Sequence, residues 1–483
     1  MNIAHLKAKI LDLAVRGKLT EQRPEEGSAE ELLERIREEK QRLIAEGKLK
    51  KEKPLPDITE DEIPFNIPVG WKWVRLGEIG TWQAGCTPDT TRKDFYENGT
   101  IPWINSADLT DGYIDTITHY VTEKAFAEKK MRLNKTGAVC VAMYGATIGK
   151  TGILTVDATT NQAVCVCNLL SSMDSKYLFY FLQFHKPFFV MKGFGGAQPN
   201  ISKEKIENTP FPLPPLAEQK RIVEKIEAIF KQADIIEENR LALKTAVRHT
   251  KSRVLDLAIR GKLTEQRPEE GSAEELLERI REEKQRRIAE GKLKKEKPLP
   301  EITEEEIPFD IPAGWKWVTG KDIFYPMSSC KPQGESFRYI DIESIDNKKH
   351  KIKDARTVLS AHAPSRASRF IGEGNVLFSL VRPYLQNIAY VDKKFSDCIA
   401  STGFFVCKAK PIIYPKYMYF LMLSKYVIDG LNSFMKGDNS PSINCDNIFG
   451  FLFPLPPLAE QKRIVEKIEQ IFDTLDTIEK AVE

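Results

Sequence analysis

None of the eight cysteines forms a CxxC pair, and none stands at zinc-ligand spacing from the six histidines. A zinc module and a disulfide framework are therefore excluded, and no bound metal is expected. No run of about 18 apolar residues occurs. The N-terminus, Met1-Asn-Ile-Ala-His-Leu-Lys, lacks the apolar core and cleavage site of a secretory leader, so a cytoplasmic protein without membrane contact is expected. There is no GxSxG and no Asp/Asn-Pro-Pro-aromatic motif of amino-methyltransferases. The stretch Gly145-Ala-Thr-Ile-Gly149-Lys150-Thr151 holds three residues between its glycines where a phosphate loop needs four, and Gly-Ile-Leu-Thr-Val after it reads as strand, where a phosphate loop runs into a helix. No catalytic residue is expected. Charge of one sign is missing too: 72 basic residues face 69 acidic ones, so only the distribution of charge can speak for a nucleic-acid partner.

What is present is repetition. Residues 16–42 (RGKLTEQRPEEGSAEELLERIREEKQR) recur unchanged as 260–286, and the match continues with few substitutions to Trp71-Lys-Trp-Val74, repeated as Trp315-Lys-Trp-Val318. Residues 211–227 (FPLPPLAEQKRIVEKIE) recur as 453–469. Between these frames lie two stretches of nearly equal length that share only traces, such as Gly137 and Gly374 opening strand-like runs and Ile201 and Ile443 each standing ten residues before the second frame segment. One fold used twice with different surface loops is the reading. Identical frames suggest two equivalent docking sites for one partner, and divergent inserts suggest two different ligands of one class. Gene conversion confined to the frames is the alternative.

Apolar residues at Ile222, Ile226, Ile229, Ile236, Leu243 and Val247 follow heptad spacing, which predicts a long helix with a coiled-coil seam. Pro214-Pro215 sets its start and Gly261 its end. The same seam recurs at Ile464, Ile468, Ile471, Leu475 and Ile478, and its remainder at Ile3, Leu6, Ile10 and Leu13. The second long helix is thus split between the two ends of the chain, a circular arrangement that implies a pseudo-two-fold molecule with the C-terminal helix antiparallel to the central one. Ser28-Ala-Glu-Glu31 and Ser272-Ala-Glu-Glu275 have capping-box spacing. The basic runs at 48–53 and 292–297 sit among acidic neighbours, which favours a partner-binding or solvated helix over a phosphate contact. Trp71, Trp73, Trp315 and Trp317 are expected to anchor packing, and Cys165 and Cys167 to be buried along one strand.

The expected fold class is α+β, with two globular domains separated by a long antiparallel two-helix coiled coil. The boundaries are 1–74 for the N-terminal helix and first arm, 75–210 for the first globular domain, 211–260 for the central helix, 261–318 for the second arm, 319–452 for the second globular domain and 453–483 for the C-terminal helix. The second domain carries 18 basic and 12 acidic residues, and in the first, counted from Gly77 to Pro210, 13 of each balance. Only the second has the surplus expected of a phosphate-binding surface.

With these marks the chain resembles the specificity subunit of type I restriction-modification systems over essentially its whole length. The repeated PLPPLAEQKRIVEKIE, the arm running from GKL to the capping box, and the GWKWV entry to each variable stretch carry the resemblance. Gly85-Cys-Thr-Pro88, Ile101-Pro-Trp-Ile104, Gly145-Ala-Thr-Ile-Gly149-Lys150, Asn161-Gln162 and Gly196-Ala-Gln-Pro-Asn-Ile201 are similar to one class of target-recognition domain; Tyr339-Ile-Asp-Ile-Glu343 and Leu380-Val-Arg-Pro-Tyr384 resemble a different one. The resemblance implies a non-catalytic scaffold in which each variable domain reads one half of a bipartite site on double-stranded DNA while the coiled coil sets the unread spacer. Two methyltransferase subunits would dock on the frame and restriction/translocase subunits would join them. S-adenosylmethionine, ATP and Mg²⁺ would bind those partners, and this chain would bind no cofactor. Polar groups on loops are the expected DNA contacts: Tyr144, Thr147, Lys150, Gln198 and Asn200 in the first domain, and Arg338, Arg366, Arg369, Arg382, Tyr384, Asn439 and Ser440 in the second. The rival readings are an architectural coiled-coil DNA-binding protein without methyltransferase partners, a degenerate enzyme, and a pure adaptor.

Overall fold

Directly after Pro214-Pro215 a single helix runs from Leu216 to Ile259, and Gly261, at φ +68°, turns the chain where other residues would be strained. In this computed structural model, residues 2–51, 53–170, 173–193, 200–290 and 302–482 are described. The chain divides into two units, 1–239 and 240–483, with the long helix contributing its first part to one and its second part to the other. The basic run at 292–297 lies outside the described residues. Among the described residues no helix is long and apolar enough to cross a membrane.

In the first unit, helix Ile3–Val15 lies antiparallel to the start of the long helix. Lys7 meets Asp234 at 2.5 Å at one end, and past the other end Gln22 donates to Glu218 at 2.7 Å. The arm helix Ala29–Ala45 opens on the expected capping box, Ser28 with Glu31. Strand Lys72–Arg75 pairs antiparallel with Pro210–Leu213, so the chain enters and leaves the globular domain through one two-stranded neck. Inside the domain a five-stranded sheet runs in the order 80–84, 164–169, 139–142, 151–154, 112–114, and a smaller sheet pairs 101–104 with 120–121 and, in parallel, with 159–160. Strand Val164–Leu169 explains its own composition: Cys165 and Cys167 point into one apolar cluster and Val164 and Val166 into another. A strand covered on both faces reads as a continuous apolar run, without polar alternation.

The second unit repeats this plan with other side chains. Lys316–Thr319 pairs with Leu452–Leu455 as its neck. Strands 388–390, 376–379 and 404–407 form one sheet; 356–359, 336–340, 399–401 and 367–370 form another, in which 339–340 run parallel to 399–400 as 103–104 do to 159–160. The second part of the long helix lies antiparallel to helix Leu458–Ala481, tied by the Lys251–Asp476 ion pair and, beyond Gly261, by Gln266 donating to Glu460 at 2.7 Å.

The repeated segments encode one bonding scheme in both units. Tyr177 and Tyr417 donate to the carbonyls of Pro212 and Pro454, at 3.0 and 3.2 Å. Arg221 and Arg463 pair with Glu26 and Glu270 at 2.7 Å. The wholly buried amides of Gln219 and Gln461 accept from the backbone N–H of Asp174 and Tyr414. One position breaks the symmetry. Arg75, 3% exposed, forks onto both Glu62 oxygens at 2.7 Å and also donates to the carbonyls of Pro56, Asp57 and Asn208. Thr319 stands at the corresponding place in the second unit, so Glu306 keeps, among the described residues, only the Thr303 bonds that Glu62 also makes with Thr59.

The heptad residues serve unequal purposes. Ile222, Ile226, Ile464 and Ile468 are fully buried inside the globular clusters, and Val247 is buried as well. Ile229, Leu243, Ile471 and Leu475 are half-buried. Ile236 and Ile478 depart from the expected seam, being 47% and 41% exposed. Each lies two residues beyond an interhelical ion pair, Asp234 with Lys7 in one unit and Asp476 with Lys251 in the other.

Candidate nucleic-acid interface

In the first unit, strand Val139–Ala142 runs into a loop shaped by two left-handed glycines, Gly145 at φ +63° and Gly149 at φ +75°. Tyr144 forms an isolated bridge with Asn200, and the Ile201 N–H donates to the Met143 carbonyl at 2.9 Å, so two segments far apart in sequence meet at one edge. The Thr147 hydroxyl donates to the Tyr144 carbonyl at 3.0 Å. Tyr144 is 41% exposed, and Lys150 is half-buried at the loop's end, its ammonium unpaired among the described residues. Tyr144, Thr147, Lys150 and Asn200 are thus brought together; Gln198 lies outside the described residues. The neighbouring motif residues are structural. A Cβ on Gly85 would meet the Thr160 carbonyl oxygen at 2.1 Å, so only glycine lets these backbones approach.

The second unit builds the same edge from unrelated side chains. Val381 bridges to Ser442, and the Ile443 N–H donates to the Leu380 carbonyl at 3.0 Å. Arg382 then occupies the place of Gly145 and takes a left-handed backbone at φ +47°, a conformation that costs a residue with a side chain. Its guanidinium donates to the Asn439 carbonyl at 2.9 Å, and Tyr384 stands beside it 45% exposed. Arg382, Tyr384, Asn439 and Ser440 therefore share one exposed pair of loops.

The other three arginines are placed differently. Arg338 donates to the Lys394 carbonyl at 2.7 Å and to Asp397 at 2.9 Å, with its guanidinium over the Phe395 ring, so it is engaged within its own domain. Arg369 lies on strand Ala367–Phe370 with its Nε buried and without an acceptor. Arg366 is exposed on the turn before that strand, its carbonyl accepting from the Thr402 N–H.

A further element adjoins the second edge. Strands Ile345–Asp346 and Lys351–Ile352 form a short hairpin, and Asn347 on its turn donates to the carbonyl of Leu385 in the Arg382 loop at 2.9 Å. The run Asp346-Asn-Lys-Lys-His-Lys351 was the available signal, but its contact with residues near 385 is not visible in sequence. A cavity of about 260 Å³ opens at the hairpin's base, lined by His350, Lys351, Tyr390, Asp392, Tyr419 and the Lys416–Glu469 pair among others. Burial pushes the His350 imidazole down, which favours the neutral ring at pH 7. Elsewhere burial pushes the Cys165 thiol up to about 12 and those of Cys140, Cys167 and Cys407 up as well, which keeps them protonated and inert. No group of three or more His, Cys, Asp or Glu able to hold a metal occurs among the described residues.

Comparison with known proteins matches this duplicated architecture. Residues 68–245 and 312–483 each match the family profile of the type I restriction modification DNA specificity domain. The type I restriction enzyme EcoAI specificity subunit of Escherichia coli is 28% identical over 544 aligned positions, covering 99% of this chain and 90% of that protein. The EcoEI specificity subunit of the same species is 27% identical, covering 100% and 91%. A solved chain from work on complex assembly and conformational transition of the type I R-M system shares the fold with TM-score 0.57 at 20% identity, covering 87% of this chain and 94% of that one. Matched twice by one profile, once in each half, the chain belongs to the specificity subunits of type I restriction-modification systems.

Proposed function

We propose that this chain is the non-catalytic subunit that selects a bipartite site on double-stranded DNA, each target-recognition domain (75–210 and 319–452) reading one half. The observation that carries the reading is the paired edge: Tyr144 with Asn200 in one unit and Val381–Arg382 with Ser442 in the other, the same backbone bridge presenting different side chains on one repeated frame. Tyr144, Thr147, Lys150, Gln198 and Asn200 contact the first half-site. Arg382, Tyr384, Asn439 and Ser440 lead at the second, where an arginine fork or an amide matches base edges in the major groove. Arg366 and Arg369 contribute at that half's margin, and Arg338 reaches DNA only if it leaves Asp397.

The long helix, with the N-terminal and C-terminal helices antiparallel to its two parts, forms the coiled coil that sets the unread spacer in a circular, pseudo-two-fold arrangement. The duplicated frame docks two methyltransferase subunits, and restriction/translocase subunits join them in the cytoplasm. S-adenosylmethionine, ATP and Mg²⁺ belong to those partners. The test is genome-wide mapping of methylated bases in the source cell with this gene intact and deleted. One bipartite motif should vanish on deletion; an unchanged methylation pattern would count against the reading.

A further inference from the structure

The two recognition domains differ in what stands next to the reading loop. In the first unit, residues 109–115 (Leu-Thr-Asp-Gly-Tyr-Ile-Asp) contain no basic residue. Their Asp111 is tied down, accepting from the Thr151 N–H at 2.9 Å and pairing with Lys186 at 2.7 Å. In the second unit the corresponding passage is the hairpin with Lys348, Lys349, Lys351 and Lys353, all exposed and, among the described residues, none in a side-chain ion pair. The hairpin is held in shape: Asp346 accepts from the backbone N–H groups of Lys348 and Lys349 at 3.0 and 3.1 Å, which fixes its turn. It is also held in place, because Asn347 donates to the Leu385 carbonyl and the Tyr419 hydroxyl donates to the His350 carbonyl at 3.0 Å.

Four solvated ammonium groups on an ordered hairpin, hydrogen-bonded to the loop that presents Arg382 and Tyr384, match a polyanion. A lysine ammonium is a point charge suited to phosphate, whereas an arginine fork suits base edges. We propose that this hairpin is a phosphate clamp on the DNA backbone beside the second half-site, with no equivalent in the first domain, so that the salt dependence of binding is carried unequally by the two halves. The proposal rests on the DNA-reading function above and adds to it an asymmetric backbone grip.

The test compares the full chain with the variant K348Q/K349Q/K351Q/K353Q and with the matching arginine variant. Duplexes are first selected from a randomised pool, then binding is measured on the enriched duplex between about 50 and 200 mM salt. Each lysine that releases a phosphate counterion contributes about 0.9 to the log–log slope, so the glutamine variant should be shallower by up to about 3.6. The arginine variant should keep the wild-type slope, and both should enrich the wild-type motif. A glutamine variant with the wild-type slope would overturn the clamp, as would one whose enriched motif changes in a half-site. The slope therefore decides the hairpin, while failure of the wild-type chain to enrich any motif would count against the DNA-reading function itself.

Discussion

Trp71 donates its indole N–H to the Glu218 carboxylate at 2.8 Å, and Glu218 is 2% exposed. Trp315 and Glu460 repeat the bond at the same distance and the same exposure. Gln22 and Thr20 complete the first carboxylate's shell, and Gln266 and Thr264 the second. A buried carboxylate is tolerable only with such a shell. Each of these two joins three segments, the turn after one helix, the GWKWV strand and the first turn of a PLPPLAEQ helix, so a change at any one of them orphans the others. This gives the near-identity of the frame a physical cause beside docking.

Glu218→Ala should therefore cost about 3 kcal/mol, since it strands the buried Trp71 N–H and removes the acceptor shared by Gln22 and Thr20. Glu460→Ala should cost a similar amount in the other unit. Urea unfolding of the two variants checks this, and each loss should fall on the transition of its own unit.

The pairing of Arg75 with Glu62 predicts a pH dependence larger in the first unit than at the equivalent Glu306 of the second. Hydrogen bonds from Arg75, reinforced by the Thr59 N–H, hold the Glu62 carboxyl at about 2, against an ordinary value of 4.5. A lowered carboxyl stabilises the fold at pH values above its unfolded value and loses that contribution as pH falls through its folded value. Glu62→Gln should thus be less stable than wild type by about 1 kcal/mol at neutral pH, the pair being partly exposed. The difference should shrink between pH 4.5 and about 2. Acid titration of the two proteins followed by tryptophan fluorescence measures it. Glu306→Gln should show a smaller difference, because Thr319 offers no guanidinium and only the Thr303 N–H and hydroxyl lower its carboxyl.

Arg382 sets stability against function. Its left-handed backbone is unfavourable for any residue with a Cβ, and the first unit places Gly145 at the same point of the loop. Arg382→Gly should leave the fold as stable or stabilise it by up to about 1 kcal/mol, while methylation at sites carrying the second half-motif is lost. Thermal unfolding paired with methylation mapping separates the two effects. A variant that is destabilised and still methylates normally would assign Arg382 a structural role.

The frame was legible in the sequence because its signals are local or repeated: the Ser28–Glu31 capping box, the start of the long helix after Pro214-Pro215 and the exact recurrence at 260–286. The common edge in two unlike domains was legible only as the shared positions of Ile201 and Ile443. What escaped was pairing at a distance. Nothing near Arg338 announces that Asp397, 59 residues on, takes its guanidinium, and nothing in the lysine run announces the bond from Asn347 to Leu385. Ile236 and Ile478 fit a heptad in spacing and are exposed in the fold, because spacing specifies a stripe on one helix and says nothing of what faces it.

The spacer role of the long helix is the most demanding prediction, since it ties helix length to a length of DNA. At 1.5 Å per residue its 44 residues span roughly 66 Å, and one heptad about 10 Å, close to three base-pair steps. Residues 235–241 are the heptad to remove, because Ile235, Ile236 and Leu241 within it are exposed and their loss opens no core. The matching heptad of the second frame is 477–483. Deleting both should shorten the unread gap between the half-motifs by about three base pairs, or abolish methylation if the docked partners cannot follow the shorter strut. Methylation at the original spacing with undiminished efficiency would show that the gap is set elsewhere. Deleting only 235–241 should be the more damaging change, because the two copies of the frame would then be out of step while each recognition domain stayed intact.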